Sequence, residues 1–309
     1  MDVLVEVVRS GLVESRHRGV AARVDAAGEL LWSWGDPDTV IFPRSANKPF
    51  QGLGMLRSGL PLDGAELALA TASHSAEPFH LDGVRAVLAR AGLDEDALQT
   101  PPSYPLDPKE HAAVLRAGGH RAPILMDCSG KHAAMLLTSV VNGWPTDTYL
   151  DPGHPLQRAI CATFAELTGA DPDVVGTDGC GAPLLATSVR RLAHGIARIR
   201  AAAPGSPERR LVDAMLAHPE HVSGTRRAEL RLMRAVPGLV AKEGAESVLV
   251  VGLPDGSALA LKIEDGGLRP LYVAMHRMLQ LAGVHADLLD ERPAVLGGGR
   301  PVGEVRPTF

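Results

Sequence analysis

Apolar residues alternate along both ends of the chain and recur with a helical period through its middle. Val3, Val5 and Val7 share one face of an extended segment. Gly19–Val24 and Glu29–Trp34 follow as two more strand-like runs, joined by the turn-forming Asp25-Ala26-Ala27-Gly28. A break at Gly35-Asp36-Pro37-Asp38 leads to Val40-Ile41-Phe42-Pro43, and a helix is predicted to begin near Ser45. Pro49 would clash with the Ser45 carbonyl if both lay inside that helix, so Ser45 belongs at its N-terminus. The apolar run Leu67–Ala72 ends in the polar cluster Ser73-His74-Ser75-Ala76-Glu77, and helical spacing returns over Phe79–Ala91 and continues to about Met233. Within this region Leu156, Ile160, Phe164 and Leu167 mark one helix that stops at Gly169, with Cys161 as a plain core residue. Strand patterns resume at Leu239–Ala241, Ser247–Val251 and Ala258–Ile263, followed by a helix over about 269–281 and a short strand at Val302–Arg306. Gly297-Gly298-Gly299 follows no strand-to-helix pattern and reads as a loop.

Strands at both ends and helices between them define an α/β (α+β) class. The two ends meet in one antiparallel sheet, about 1–72 and 237–309, and the middle, about 79–236, forms a helical lobe of the same catalytic unit. At 309 residues, 45% hydrophobic and 22% charged, the composition is that of an ordinary globular chain with a substantial core. The first residues lack a basic segment followed by an apolar one, and no stretch is long and apolar enough to span a bilayer, so a cytoplasmic location is expected. A net charge of -5, with acidic and basic residues mixed throughout, offers no footprint for nucleic acid or an anionic membrane. Three cysteines, Cys128, Cys161 and Cys180, are too few and too odd in number for a disulfide framework.

Lysine usage changes the picture. Only five of the 31 basic residues are Lys, at positions 48, 109, 131, 242 and 262. An amine can lose its proton and serve as a base or metal ligand, which a guanidinium cannot, so these positions form a short list for chemistry; codon bias with a random remainder is the plainer alternative. Of fifteen serines, only Ser45 has Lys three residues on. A hydroxyl beside an amine held neutral by desolvation is the arrangement of enzymes that form acyl intermediates. In Asp127-Cys128-Ser129-Gly130-Lys131-His132 a polar cluster precedes another helix, and Gly176–Pro183 reads as a third helix start, with Leu185, Val189 and Leu192 behind it. Such helix N-termini favour anions, although three unrelated glycine-rich loops would look the same in sequence. Cys128 and Cys180 could jointly hold Zn²⁺, with Lys131 or a nearby carboxylate completing the shell. His74 and His132 read as hydrogen-bonded structural or pocket residues, and none of the twelve histidines has ligand spacing. Lys262 rises from the strand face of Ala258 and Ala260, where packing could depress its pKa; pairing with Glu264 or Asp265 is the alternative.

Taken together, Pro43-Arg44-Ser45-Ala46-Asn47-Lys48-Pro49, Ala72-Ser73-His74-Ser75-Ala76-Glu77, Cys128-Ser129-Gly130-Lys131-His132, Gly176-Thr177-Asp178-Gly179-Cys180 and Lys262-Ile263-Glu264-Asp265-Gly266 resemble the rhizobial-type, thermolabile (class 3) L-asparaginases, in family order. Val13–Gly19 and His218-Pro219-Glu220 also have counterparts. The resemblance implies a fold similar to serine β-lactamases and glutaminases, and hydrolysis of L-asparagine to L-aspartate and ammonia through two Ser-Lys pairs. Ser45 would be the nucleophile with Lys48 as its base, and Ser73 with Lys262 a relay of the proton to ammonia. Asp178 would hold the substrate amino group, with Arg44 and His132 as further substrate contacts. The resemblance also implies a homodimer, and a zinc ion on Cys128, Lys131 and Cys180 beside the substrate, not required for the chemistry itself. Asp127 stands where many members carry Asn, and no further cysteines are present. Two other readings compete: a β-lactamase- or glutaminase-like serine amidase acting on another amide, against which no Ser-Asp-Asn or Lys-Thr-Gly motif is found, and a silent amino-acid or zinc-binding protein.

Overall fold

The computed structural model describes residues 1–285 and 293–309. Its strands are β1 (Asp2–Arg9), β2 (Leu12–Val24), β3 (Leu30–Trp34), β4 (Val40–Ile41), β5 (Val175–Thr177), β6 (Pro183–Leu185), β7 (Thr187–Ser188), β8 (Val240–Gly244), β9 (Val248–Gly252), β10 (Ala258–Ile263), β11 (Val295–Gly297) and β12 (Arg300–Pro307). The helices are α1 (Lys48–Arg57), α2 (Gly64–Leu69), α3 (Pro78–Arg90), α4 (Pro108–Arg116), α5 (Ser129–Val141), α6 (Pro155–Thr168), α7 (Val189–Arg200), α8 (Pro207–Ala217), α9 (Pro219–Val222), α10 (Ala228–Ala235) and α11 (Leu271–Leu281). Two compact units result, one of Met1–Ala46, Thr187–Ala201 and Arg231–Phe309, the other of Asn47–Ala186 and Ala202–Leu230. Among the described residues no helix is long and apolar enough to cross a membrane.

The first unit holds an antiparallel sheet in the order β11-β12-β1-β2-β10-β9-β8, with β3 also on β2. Both ends of the chain therefore contribute to one sheet, as the alternation predicts. β1 pairs with β2 through Asp2↔Gly19 to Arg9↔Leu12, and β3 takes over at Ala21–Val24. β10 runs along Gly19–Val24 from Ile263↔Gly19 to Ala258↔Val24. Every residue of β9, and all of β10 except Lys262, is buried, which requires cover on both faces. α7 lies against β2, β9 and β10, and α11 against β1, β10 and β12. Leu192, Ala193, Ile196 and Ile199 give α7 its apolar face, and Leu271, Ala274, Met275 and Met278 serve α11 in the same way.

The second unit is helical. α1 packs on α6, where Phe50 and Phe164 meet edge-on with centroids 5.3 Å apart. Gly54 permits that approach, because a Cβ there would sit 2.8 Å from the Ile160 Cα. α3 packs on α5, and α2 on α8. His154 caps α6 by accepting from the Leu156 N–H, and Gly169 ends it at φ 80°, the left-handed conformation a glycine adopts freely.

Two local expectations are corrected. Ser45 does not open an α-helix: Arg44–Asn47 form a single 3₁₀ turn, and α1 begins at Lys48, with Pro49 tolerated in its first turn. The segment around Pro183 is no helix start, since β5 and β6 pair as a hairpin from Val175↔Leu185 to Thr177↔Pro183 and the next helix begins only at Val189. The apolar positions at 185, 189 and 192 mimic a helical period, but Gly179 and Gly181, φ 88°, favour the reversal between two short strands.

Candidate active site

In the helical unit the segment between α2 and α3 is fixed by its backbone. Ser73 N–H donates to the Val222 carbonyl (3.0 Å) and His74 N–H to that of Asp127 (2.9 Å). The Ser75 hydroxyl donates to the Ser223 carbonyl (2.9 Å). Glu77 accepts from the Thr225 N–H at 2.7 Å and its hydroxyl at 2.6 Å. The buried His74 ring accepts from the Ala76 N–H on Nδ1, leaving Nε2 to donate to Ser129 Oγ at 2.8 Å. Burial, then His80 and Lys48, push the His74 pKa well below the usual imidazole range, so it is a neutral strut. Ala76 adopts φ 55°, an uncommon conformation for a residue with a Cβ, in a segment bonded on both sides.

Lys48 reaches this segment from the first turn of α1. It is 1% exposed, and its Nζ donates to the Ala72 carbonyl and, at 2.9 Å, to Ser73 Oγ. An Asp127 carboxylate oxygen lies 3.7 Å away. Burying an amine without partners is costly, and two acceptors with a nearby carboxylate offset that cost.

The chain of contacts continues from Asp127 into the thiols. Cys128 and Cys180 are both buried and pack against Ala182. The Cys128 thiol hydrogen-bonds Cys180, which together with burial pushes Cys128 up. The same bond, aided by Lys131 and His132, holds Cys180 far below an ordinary thiol. The two thiols are thus coupled, with Cys180 favoured as the more acidic by the cations around it. Lys131 Nζ is 3.2 Å from its sulfur. Burial acts to lower the Lys131 pKa, but Cys180, Cys128 and Asp178 outweigh it and raise it. His132 Nδ1 accepts from the Tyr149 hydroxyl at 2.8 Å, while its buried Nε2 meets no hydrogen-bond partner. Burial keeps this imidazole neutral. Carboxylate oxygens of Asp127 and Asp178 approach the sulfurs of Cys128 and Cys180 at 3.7 and 3.8 Å. Two sulfurs, an amine and two carboxylates form a donor set that fits a borderline-soft dication such as Zn²⁺, and the His132 ring, with Nδ1 accepting from Tyr149, keeps its proton on Nε2.

The sheet unit carries Arg44, Ser45 and Lys262. Arg44 has φ 54° at the head of the 3₁₀ turn. β8 passes close beneath that turn: a Cβ on Gly244 would lie 2.3 Å from the Pro43 carbonyl oxygen and 3.3 Å from Ser45 N. Lys262 donates to the carbonyls of Glu246 and Ile263, the latter at 2.7 Å. Asp265, considered as its partner, instead accepts from His17 Nδ1 at 2.6 Å. Burial lowers the Lys262 pKa, helped by the charge of Arg44 and opposed by Glu246 and Asp265. Such an amine exchanges a proton near neutrality more readily than an exposed lysine.

Sequence reasoning gathers Lys48, Ser73, Cys128, Lys131, His132, Asp178 and Cys180, and the structure connects all seven within the helical unit. It misses three features. Ser73 has Lys48 as its hydrogen-bond partner, Asp127 faces that amine, and Asn47 is 1% exposed with neither amide atom hydrogen-bonded. Asn47 lies inside the recognised segment and was readable as a polar residue between two chemical ones.

The family model described as L-asparaginase II matches residues 5–307, and the chain belongs to that family. Membership supports an amidohydrolase with a small-molecule substrate. No curated relative matches the sequence closely enough to be compared. Among solved structures the chain is similar to Mglu in its native form, at 16% identity and a TM-score of 0.48, covering 89% of this chain and 66% of that one. It is also similar to a β-lactamase from Mycobacterium bovis, at 14% identity and a TM-score of 0.43, covering 86% and 95%. The chain thus spans slightly under two thirds of the length of Mglu.

Proposed function

We propose that the chain hydrolyses L-asparagine to L-aspartate and ammonia through an acyl-enzyme on Ser45. Ser45 Oγ attacks the side-chain amide carbon as Lys48 takes the hydroxyl proton, so the attacking group is an alkoxide only in the transition state. The C–N bond breaks and a proton relayed by Ser73 and Lys262 leaves with nitrogen as ammonia. Water then adds to the acyl ester, and its proton returns through the same groups to restore Ser45. Asp178 holds the substrate ammonium by a charge-assisted contact, and Arg44 and His132 supply the other polar contacts. The supporting observation within the family is the buried Lys48 amine donating to Ser73 at 2.9 Å, with the depressed Lys262 pKa consistent with a proton-transfer role.

Cys128, Lys131 and Cys180 would hold Zn²⁺, with His132 Nε2 turned to the same sulfurs; the ion supplies a fixed positive charge beside the bound substrate. Lys131 and Cys128 each carry a proton that metal ligation displaces, so binding weakens as pH falls. The protein is further proposed to act in the cytoplasm as a homodimer, which light scattering of the purified chain checks.

The test is ammonia release from L-asparagine, L-glutamine and a chromogenic β-lactam assayed side by side. Wild type is expected to favour L-asparagine, and Ser45→Ala to lose at least about 100-fold in kcat. Unchanged turnover in Ser45→Ala removes that residue from the nucleophile's role, while preference for another amide overturns the substrate.

A further inference from the structure

We propose that His218, Glu220 and His221 form a second metal site, taking a borderline transition-metal dication such as Zn²⁺. The site lies in the helical unit, where α8 ends and α9 begins, and it shares no residue with the thiol cluster. The geometry comes from a tight turn. His218 ends α8 at φ −131°, ψ 54°, and Pro219 opens α9. His221 N–H closes the turn on the His218 carbonyl at 3.0 Å. Residues three apart on such a turn share a face, so both imidazoles are presented together. Their rings stand nearly perpendicular, 88°, with centroids 5.7 Å apart.

One ligand atom from each of the three side chains lies within 4.8 Å of the others. His221 Nδ1 is 3.4 Å from Glu220 Oε1. Two ligands about 2.0–2.1 Å from a tetrahedral zinc are separated by about 3.3–3.4 Å, so this pair already spans one edge of the polyhedron.

The donor chemistry agrees with the spacing. His221 Nδ1 is buried and forms no well-aligned hydrogen bond, facing the Glu220 carboxylate across 3.4 Å. Phe79 packs on the ring edge-on at 4.8 Å. The Glu220 carbonyl accepts from His80 Nε2 at 3.0 Å, which holds the backbone of the site in place. Three protein ligands leave a coordination position for water, as in open zinc sites.

The experiment is a Co²⁺ titration of the full chain followed by absorption, with Zn²⁺ competition for affinity. Thiolate ligation produces a charge-transfer band, and a His-carboxylate site gives only the weaker ligand-field bands, so the two sites report separately. Wild type is expected to show ligand-field absorption beyond what the thiolate band accounts for. That excess should persist in Cys128→Ser/Cys180→Ser and fall in affinity by at least about 100-fold in His221→Ala and in His218→Ala. Glu220→Gln, which keeps the side-chain shape, should weaken it about tenfold with an unchanged urea midpoint, separating ligation from folding. Absence of any site in Cys128→Ser/Cys180→Ser, or binding there that survives both histidine substitutions, overturns the proposal. Loss of the thiolate band alone bears on the cysteine site and leaves this one standing.

Discussion

Lys48 has two acceptors and a carboxylate around one amine: it donates to the Ala72 carbonyl and Ser73 Oγ, and the Asp127 carboxylate lies 3.7 Å away. Arg in its place could keep charge and hydrogen bonds but could never give up its proton. Lys48→Arg is therefore expected to retain cooperative urea unfolding while ammonia release falls by about 100-fold or more; activity above about a tenth of wild type would end the argument for a base there. At the thiols, elemental analysis of protein purified without chelator should find zinc, and Cys180→Ser should lose the metal bound at that site, because a thiol sulfur is a softer donor than the hydroxyl that replaces it. Zinc content unchanged by Cys180→Ser, once the histidine site is removed by His221→Ala, would eliminate the cysteine site. Sequence spacing does not reveal that the two sulfurs meet: Cys128 and Cys180 are 52 positions apart, and only the β5–β6 reversal sets Cys180 against the start of α5.

Between elements, Arg226 joins segments distant in sequence. Its guanidinium donates twice to Asp107, at 3.0 and 2.9 Å, once to Glu110 at 2.7 Å, and lies 3.4 Å from Glu77. Asp107 also caps α4 by accepting from the Lys109 and Glu110 N–H groups. The Arg226 hydrogen bond, with those backbone donors, holds the Asp107 pKa below its unfolded value of 3.8. Because the folded pKa is depressed, its stabilisation is complete above the unfolded value and is lost as pH falls from about 4 through the folded one. Asp107→Asn retains an N-cap but no charge, so it should cost about 1–2 kcal/mol at pH 7 and flatten the acid limb of stability. Urea midpoints measured from pH 7 down to pH 3 check this; parallel curves for the two proteins would show that Arg226 contributes nothing through charge. α3, α6 and α11 are legible from apolar spacing and their stop signals, whereas α2, with six residues, is too short to establish a period. The β5–β6 hairpin is misread for a related reason: three residues per strand show no alternation, and Pro183 suits a helix start equally well.

Across the molecule, the antiparallel pairing of the two chain ends follows from alternation at Val3, Val5 and Val7 and from the short apolar strand runs of β9 and β10. The assignment of α7 does not. Its helical period places it with its sequence neighbours, but its apolar face packs on β2, β9 and β10, and a one-dimensional pattern cannot say which surface a buried face meets. The same limit applies to Ser73 and Lys48, 25 positions apart, whose hydrogen bond depends on the close approach of α1, at Gly52, to Thr71 in the segment after α2 rather than on any motif. The scarcity of lysine also has a practical side. Lys48, Lys131 and Lys242 are each 1% exposed and the Lys262 amine is tied to two carbonyls, while Lys109 stands in solvent at the start of α4. An N-hydroxysuccinimide dye at modest excess should therefore couple to Lys109 and the terminal amine, read by peptide mass mapping, with ammonia release unaffected. The fold has in effect left one internal attachment point for a fluorophore or a solid support, and it is not an amine proposed to do chemistry.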